Sequence, residues 1–282
     1  MQSTTIPFLK MNGCGNDFLI FDRRNAHPLH PSRQQLAQLA DRESGPGCDQ
    51  IIAIENSVRG DVFMRIWNAD GGEVNACGNA TRCVAWLILE ERKADRVRIE
   101  TEADILLATR QGNLQVSVEF PSPLLKWEEI PLSERMDTRR LDVKVGPIDA
   151  PILFAPGAVN VGNPHCVFFH ADVESLRVDL IGPLIENHPL FPERVNVGFA
   201  QIMSPDHIRL RVWERGAGVT KACGTGACAA LVAASRRGFT GRSARIQMDG
   251  GDLHVEWREL DDHLILTGPV MIDHAGEVFL SN

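Results

Sequence analysis

At 282 residues the chain is longer than a usual single-core domain and fits two domains of ordinary size, with 44% hydrophobic and 23% charged residues in a normal globular balance. A net charge of −8, from 29 basic and 37 acidic residues, excludes the basic excess of a nucleic-acid protein. No N-terminal run of signal-peptide character and no stretch near the roughly 18 apolar residues of a membrane span occurs, so a cytoplasmic protein is expected.

Short β-branched runs bounded by Gly, Asp, Asn or Pro predict the strands. In chain order, a strand at 18–22 precedes an amphipathic helix at 34–44, stopped by Gly45-Pro46-Gly47. Strands at 51–54 and 63–67 lead to a helix at 79–93, whose run from Val84 to Leu89 is apolar nearly all round and therefore internal. Strands at 97–100 and 114–120 follow, and the Pro- and charge-rich segment 121–158 is expected to hold the crossover between domains. Beyond it come strands at 166–169 and 208–213, then an Ala-rich helix at 226–237 ending before Gly238, a good helix-terminating residue. Strands at 245–248, 253–257 and 264–267 complete the pattern.

The chain repeats itself once. Arg65-Ile66-Trp67 followed by Ala76-Cys77-Gly78 returns 146 residues later as Arg211-Val212-Trp213 followed by Ala222-Cys223-Gly224. Gly72 with Gly218 and Gln50 with Asn196 keep that separation, and Gly15-Asn16 returns after 147 residues as Gly162-Asn163. Several landmarks in one order at one spacing indicate a duplication. Two similar halves commonly hold a ligand in the cleft between them. A pseudo-twofold relation would bring Cys77 and Cys223 to one ligand from opposite sides, as a stereochemical inversion requires.

The seven cysteines, odd in number and without a secretory signal, read as thiols in a reducing compartment. No Tyr occurs, so acid–base chemistry falls to Cys, His, Asp, Glu or Lys. Cys77 and Cys223 each open a predicted helix, where unpaired N–H groups and the helix dipole favour a thiolate. One could act as thiolate base while the other remains a thiol acid. Gly78 and Gly224 let the same N–H groups approach an anion such as a substrate carboxylate. Cys14, Cys48, Cys83, Cys166 and Cys228 read as small buried hydrophobes. Zinc is not expected, because no CxxC occurs and the spacings Cys77–Cys83 and Cys223–Cys228 are too wide. Asn16, Asn68, Asn163 and Asn196 suit a polar zwitterionic ligand. Arg215 could clamp a carboxylate, while Glu214 or His165 could bind an ammonium group or tune a cysteine.

The segments Gly13-Cys14-Gly15-Asn16-Asp17-Phe18, Asn68-Ala69-Asp70-Gly71, Ala76-Cys77-Gly78-Asn79, Gly162-Asn163-Pro164-His165, Glu193-Arg194-Val195-Asn196, Glu214-Arg215-Gly216 and Ala222-Cys223-Gly224-Thr225-Gly226 closely resemble those of the diaminopimelate epimerase family, over nearly the whole chain. The resemblance implies an isomerase that interconverts LL- and meso-diaminopimelate without pyridoxal phosphate or any other cofactor or metal, on the route to lysine and peptidoglycan. It implies an α+β (mixed α/β) fold of two pseudo-twofold-related domains, each a β-barrel-like sheet around a central helix. The N-terminal domain would comprise 1–122 with 268–282 and carry Cys77; the C-terminal domain, 123–267, would carry Cys223, with the active site between them. Cys77 and Cys223 match the catalytic bases, and His165 and Glu214 the residues that adjust their pKa values. Asn16, Gln50, Asn68, Asn163, Asn196, Glu214 and Arg215 match substrate-binding positions, as do backbone groups of Gly78, Asn79, Gly224 and Thr225. The expected partner is the small-molecule substrate, with a homodimer as assembly and neither nucleic acid nor membrane involved.

Three departures stand out. Ala80 follows Asn79 where the family usually has Gly, Met11-Asn12-Gly13-Cys14 replaces a more usual Met-His-Gly-Leu, and Ile272-Asp273-His274 offers no Tyr for the dimer contact. None removes a catalytic group. Competing readings are a racemase of proline-like substrates, a non-catalytic amino-acid binding protein and a thiol-redox protein; the Asn set, the two retained cysteines and the missing CxxC weigh against each in turn.

Overall fold

A computed structural model of the protein describes residues 3–75 and 77–281; Met1, Gln2, Asn282 and Ala76, the first residue of the leading Ala-Cys-Gly triplet, lie outside the described residues. The chain divides into two compact units, Met1–Val118 with Thr267–Asn282, and Glu119–Leu266.

The first unit opens with β1 (Ser3–Gly13) and β2 (Asn16–Asp22), followed by α1 (Arg33–Ala40), β3 (Gln50–Glu55), β4 (Val62–Asn68) and β5 (Glu73–Val74). Next come α2 (Gly78–Arg92), β6 (Arg96–Glu100), β7 (Ile105–Gly112) and β8 (Gln115–Phe120), inside which the chain leaves this unit. Cys14 and Gly15 both have positive φ, 58° and 76°, which makes the β1–β2 connection the tight two-residue hairpin turn whose twist matches the strands it joins. Ser32 caps α1 in a capping box with Gln35. That helix stops at Ala40, four residues short of the predicted end, because the Asp41 carboxylate accepts the N–H groups of Glu43 and Ser44 and turns the chain first. Leu114, the first residue of the predicted strand 114–120, sits instead in the β7–β8 turn with φ 55°.

The second unit contains β9 (Lys144–Val145), β10 (Leu153–Phe154), β11 (Gly157–Asn160), β12 (Pro164–Phe169), α3 (Val178–Glu186), β13 (Asn196–Ser204) and β14 (His207–Glu214). It continues with β15 (Gly218–Thr220), α4 (Gly224–Arg236), β16 (Ser243–Met248), β17 (Gly251–Trp257) and β18 (Leu264–Pro269), in which the chain returns to the first unit to form β19 (Met271–Ser281). Residues 121–158, expected to hold the crossover, belong wholly to the second unit. Their Ile130, Leu132, Leu141, Val143 and Leu153 pack into one core with Phe168 and Phe199.

The duplication read from the sequence is a duplication of topology. In the first unit β1–β2, β3–β4, β4–β5 and β6–β7 pair antiparallel, while β2–β3 and β4–β6 pair parallel. In the second unit the same pattern recurs, with β11–β12, β13–β14, β14–β15 and β16–β17 antiparallel and β12–β13 and β14–β16 parallel. Each unit wraps its strands around one helix. α2 packs against β1, β2, β6 and β7, and α4 against β11, β12, β13, β14, β16 and β17. A helix surrounded in this way must be apolar on most sides, and α4 is buried over nearly its whole length, from Gly224 to Ala234. At its end Phe239 N–H bonds Ala234 C=O and Gly238 N–H bonds Ser235 C=O, with Gly238 at φ 71°, which satisfies carbonyls that the helix leaves open.

α3 was not anticipated, because Gly182-Pro183 interrupts it. The glycine has a packing reason: a Cβ there would come within 2.3 Å of the Trp213 ring. Trp213 is held in place by its indole N–H, which donates to the Glu186 carboxylate at 2.6 Å. Gly182→Ala should therefore destabilise the protein by about 1–3 kcal/mol through overpacking, despite the better helix propensity of Ala. Urea unfolding would show an unchanged midpoint if the ring can move aside.

Candidate active site

Cys77 is the N-cap residue of α2, in extended backbone at φ −149° and ψ 112°, and Cys223 is the N-cap residue of α4 at φ −137° and ψ 110°. The repeat thus sets both cysteines in one backbone conformation, each at the end of a helix whose first N–H groups have no partner inside the helix.

In the first unit Asn16, Gly78 and Asn79 adjoin Cys77, and Gln50 pairs with Asn68 at the ends of neighbouring strands. The pairs Phe18↔Gln50 and Gln50↔Asn68 put the start of β3 between the start of β2 and the end of β4. The Cys77 thiol points at Asn16 Oδ1, 3.9 Å away, and the same oxygen accepts from Asn79 Nδ2 at 3.3 Å. Asn16 Nδ2 donates to Asp49 at 2.8 Å, and Asp49 is in turn paired with Arg42. Gln50 Nε2 donates to Asn68 Oδ1 at 2.9 Å, whereas Gln50 Oε1 is buried with no hydrogen-bond partner among the described residues. A buried acceptor left open suits an incoming N–H or ammonium group.

The second unit gathers Asn163, His165, Asn196, Glu214, Arg215, Gly224 and Thr225 with Cys223. The parallel pair His165↔Asn196 joins β12 to β13. Asn196 is buried; it donates to Pro164 C=O at 3.0 Å and accepts the Arg215 N–H at 3.0 Å. The Arg215 side chain donates to Glu193 C=O at 2.8 Å, so part of its fork is already engaged. The Cys223 sulfur accepts the Gly226 N–H at 3.4 Å and lies 3.6 Å from the Thr225 hydroxyl. Burial pushes the Cys223 thiol well above its ordinary pKa and the Glu214 charge adds to this, while Thr225 and the Gly226 N–H oppose it. Thr220 donates to that Glu214 carboxylate.

His165 is buried and donates from Nε2 to Asn163 Oδ1 at 2.9 Å, with Nδ1 unpartnered among the described residues. Burial, and then the Arg215 charge, press its pKa from 6.5 down to about 3, so the folded protein keeps it neutral. Between those values the unfolded chain binds a proton that the folded chain refuses. Stability therefore falls as pH drops through that window, by about 1.4 kcal/mol per pH unit while His165 stays neutral. His165→Gln should flatten this slope between pH 6.5 and 5 in urea titrations, and parallel wild-type and mutant profiles would count against it.

Among the described residues no disulfide joins any of the seven cysteines. Burial pushes the Cys48 and Cys83 thiols up to about 12, and Cys166 higher still. Asp49, Thr220 and Arg82, which support the site side chains, were not anticipated. Arg82 had a signal in the sequence: it is a charge standing directly before the apolar helical run 83–89.

The sequence model of the family described as diaminopimelate epimerase matches residues 8–122 and 157–272, the two segments that carry the two sets of side chains. A diaminopimelate epimerase of Phenylobacterium zucineum is 56% identical over 272 residues, covering 96% of this chain and 97% of its own. One from Acidiphilium cryptum is 52% identical, covering 96% of both chains. Among solved structures, a hydroxyproline epimerase of Agrobacterium vitis matches with a TM-score of 0.68 at 17% identity, over 99% of this chain and 93% of its own. A probable proline racemase of Agrobacterium radiobacter matches with 0.69 at 18%, over 98% and 93%. These two share the fold, while full-length identity of about half to relatives of one name, together with the family match over both segments, decides membership. The chain belongs to the diaminopimelate epimerase family.

Proposed function

We propose that the protein interconverts LL- and meso-diaminopimelate by moving the α-proton between Cys77 and Cys223, with no bound cofactor. The observation that carries this reading is the equivalent placement of the two thiols, each the N-cap residue of a buried helix at the same step of the repeat. One cysteine, as thiolate, removes the α-proton and becomes a thiol, leaving the electron pair on the α-carbon and its carboxylate. The other, a thiol, delivers its proton to the opposite face and becomes the thiolate. Nothing is oxidised or reduced, and the direction of reaction decides which cysteine is the base. Inversion requires the thiols to meet one carbon from opposite faces.

The carbanion is stabilised where its charge spreads onto the carboxylate, and open N–H groups at Gly78, Asn79, Gly224 and Thr225 are suited to hold that charge. Gln50 Oε1, Glu214 and the Asn side chains suit the ammonium groups, and Arg215 the distal carboxylate. His165, held neutral, acts through hydrogen bonding rather than charge. Domain limits near 122 and 268 belong to the same reading and are supported by the division into Met1–Val118 with Thr267–Asn282 and Glu119–Leu266. A cytoplasmic homodimer does too. Its support is the family resemblance and exposed apolar side chains on β19, Met271, Ile272 and Phe279. Among the described residues no helix is long and apolar enough to cross a membrane.

The test is ²H incorporation from D₂O into LL-diaminopimelate without added cofactor. Label at the α-carbon together with formation of the meso isomer is expected. Unlabelled substrate would sink the assignment and turn attention to proline-like amino acids.

A further inference from the structure

Two consecutive backbone N–H groups in the turn after β14 are held by buried side chains from elsewhere in the second unit. Asn196, at the start of β13, accepts the Arg215 N–H at 3.0 Å, and Glu186, the last residue of α3, accepts the Gly216 N–H at 3.0 Å. The Arg215 Cα thus lies between two anchored peptide planes, which restrains both of its backbone dihedrals. Glu186 Oε1 also accepts from Arg194 Nη1 at 3.3 Å, and Oε2 accepts from the Trp213 indole at 2.6 Å. A buried carboxylate is costly unless donors of this kind surround it.

The duplication supplies an internal comparison. Gly71 N–H bonds Asn68 C=O, and 146 residues later Ala217 N–H bonds Glu214 C=O, in turns that join equivalent strand pairs. The two turns nevertheless differ in form. In the first unit the positive φ, 79°, falls on Gly71, the last of the four residues, as beside a type I turn. In the second it falls on Gly216, the third residue, at 77°, as in a type II turn. Those types differ by a flip of the central peptide, here the one that carries the Gly216 N–H. The helices before them end at the same step of the repeat, α1 at Ala40 and α3 at Glu186. Alanine offers no side-chain acceptor, whereas Glu186 holds the N–H of the flipped peptide.

We infer that Glu186 is a positioning residue: by holding the Gly216 N–H it keeps the Arg215–Gly216 peptide in the flipped form and so sets Arg215 for the distal carboxylate of the substrate. This role rests on the reading of Arg215 proposed above. A contact remote from the reacting carbon is the same in the ground state and the transition state, so its loss raises KM rather than lowering kcat.

The test compares three substitutions in steady-state epimerisation of LL-diaminopimelate. Trp213→Phe removes the indole donor alone. Glu186→Gln keeps one oxygen, which can serve Gly216 and Arg194 together, and turns its amide N–H toward the indole. Both should keep KM within about threefold of wild type, because the Gly216 N–H stays held. Glu186→Leu leaves that N–H without its acceptor and should raise KM about tenfold, with kcat within about threefold. An unchanged KM in Glu186→Leu overturns the inference, as does a lowered kcat at constant KM. So does a rise of the same size in Trp213→Phe, which assigns the effect to the indole contact, or in Glu186→Gln, which assigns it to the charge. Should Glu186→Leu not fold, backbone amide exchange of wild type and Trp213→Phe without substrate decides the matter. Gly216 must exchange at least about tenfold slower than an open-chain amide in both proteins, and open-chain exchange in either overturns the inference. A wild type that leaves diaminopimelate unchanged would refute the proposed function. Gly216 exchange, slow in wild type and fast in Glu186→Leu, then reads the turn by itself, and equal rates overturn the role of Glu186.

Discussion

Cys77→Ala and Cys223→Ala should each lose at least about 10³-fold in kcat for epimerisation, with KM changed little. Each thiol does one half of a single event, so removing either stops inversion even though the other remains. The double variant should accordingly be no worse than the poorer single one, since groups that act as a unit do not lose rate additively. Steady-state rates of the four proteins from LL- and meso-substrate decide this. A single variant that keeps a tenth of the wild-type rate, or a double variant whose losses multiply, would sink the two-thiol reaction.

Gly226→Ala should lower kcat by about 10- to 100-fold while leaving the protein folded, because a thiol shifted by a fraction of an ångström reacts from a poorer geometry. A Cβ at Gly226 would lie 3.3 Å from the Cys223 sulfur, 3.2 Å from its Cβ and 3.3 Å from a methyl of Val212. Each contact is tight enough that something must give. The Cys223 side chain is the member of that trio with a function to lose. Crowding of this size opposes a gain of about 1 kcal/mol from replacing helical Gly by Ala, so the thermal midpoint should hardly move. Unchanged kcat would show that the Cys223 side chain is not displaced, and a collapsed midpoint would show that the site is packed more rigidly than these distances suggest.

The sequence made the topology visible where side chains alternate or cluster. β4 shows the half-buried pattern that a strand with one covered face produces, and it was read within a residue or two. β1 was missed because Pro7 interrupts it, yet Pro7 faces Glu277 of β19 in a pairing unbroken from Ser3 to Lys10. β13 begins with five buried residues in a row and offers no alternation to read. The helix-start placement of the two cysteines was legible because the duplication put them in register. What supports them was not. Asp49 looks like a turn residue until its carboxylate is seen on Asn16, and Thr220 gives no hint of Glu214 until β15 folds back onto β14.

The long pairing of β1 with β19 has a consequence for synthesis of the chain on a ribosome. Glu119–Leu266 is one contiguous stretch, whereas the unit containing Cys77 needs both Met1–Val118 and Thr267–Asn282. Translation therefore delivers the later half complete while the earlier half still waits for a strand. Ser3 through Asn12 find their partners, Ser281 through Met271, only when those residues emerge. Until then the β1 edge stays open to wrong pairing with other nascent chains, a hazard that ends when β19 arrives.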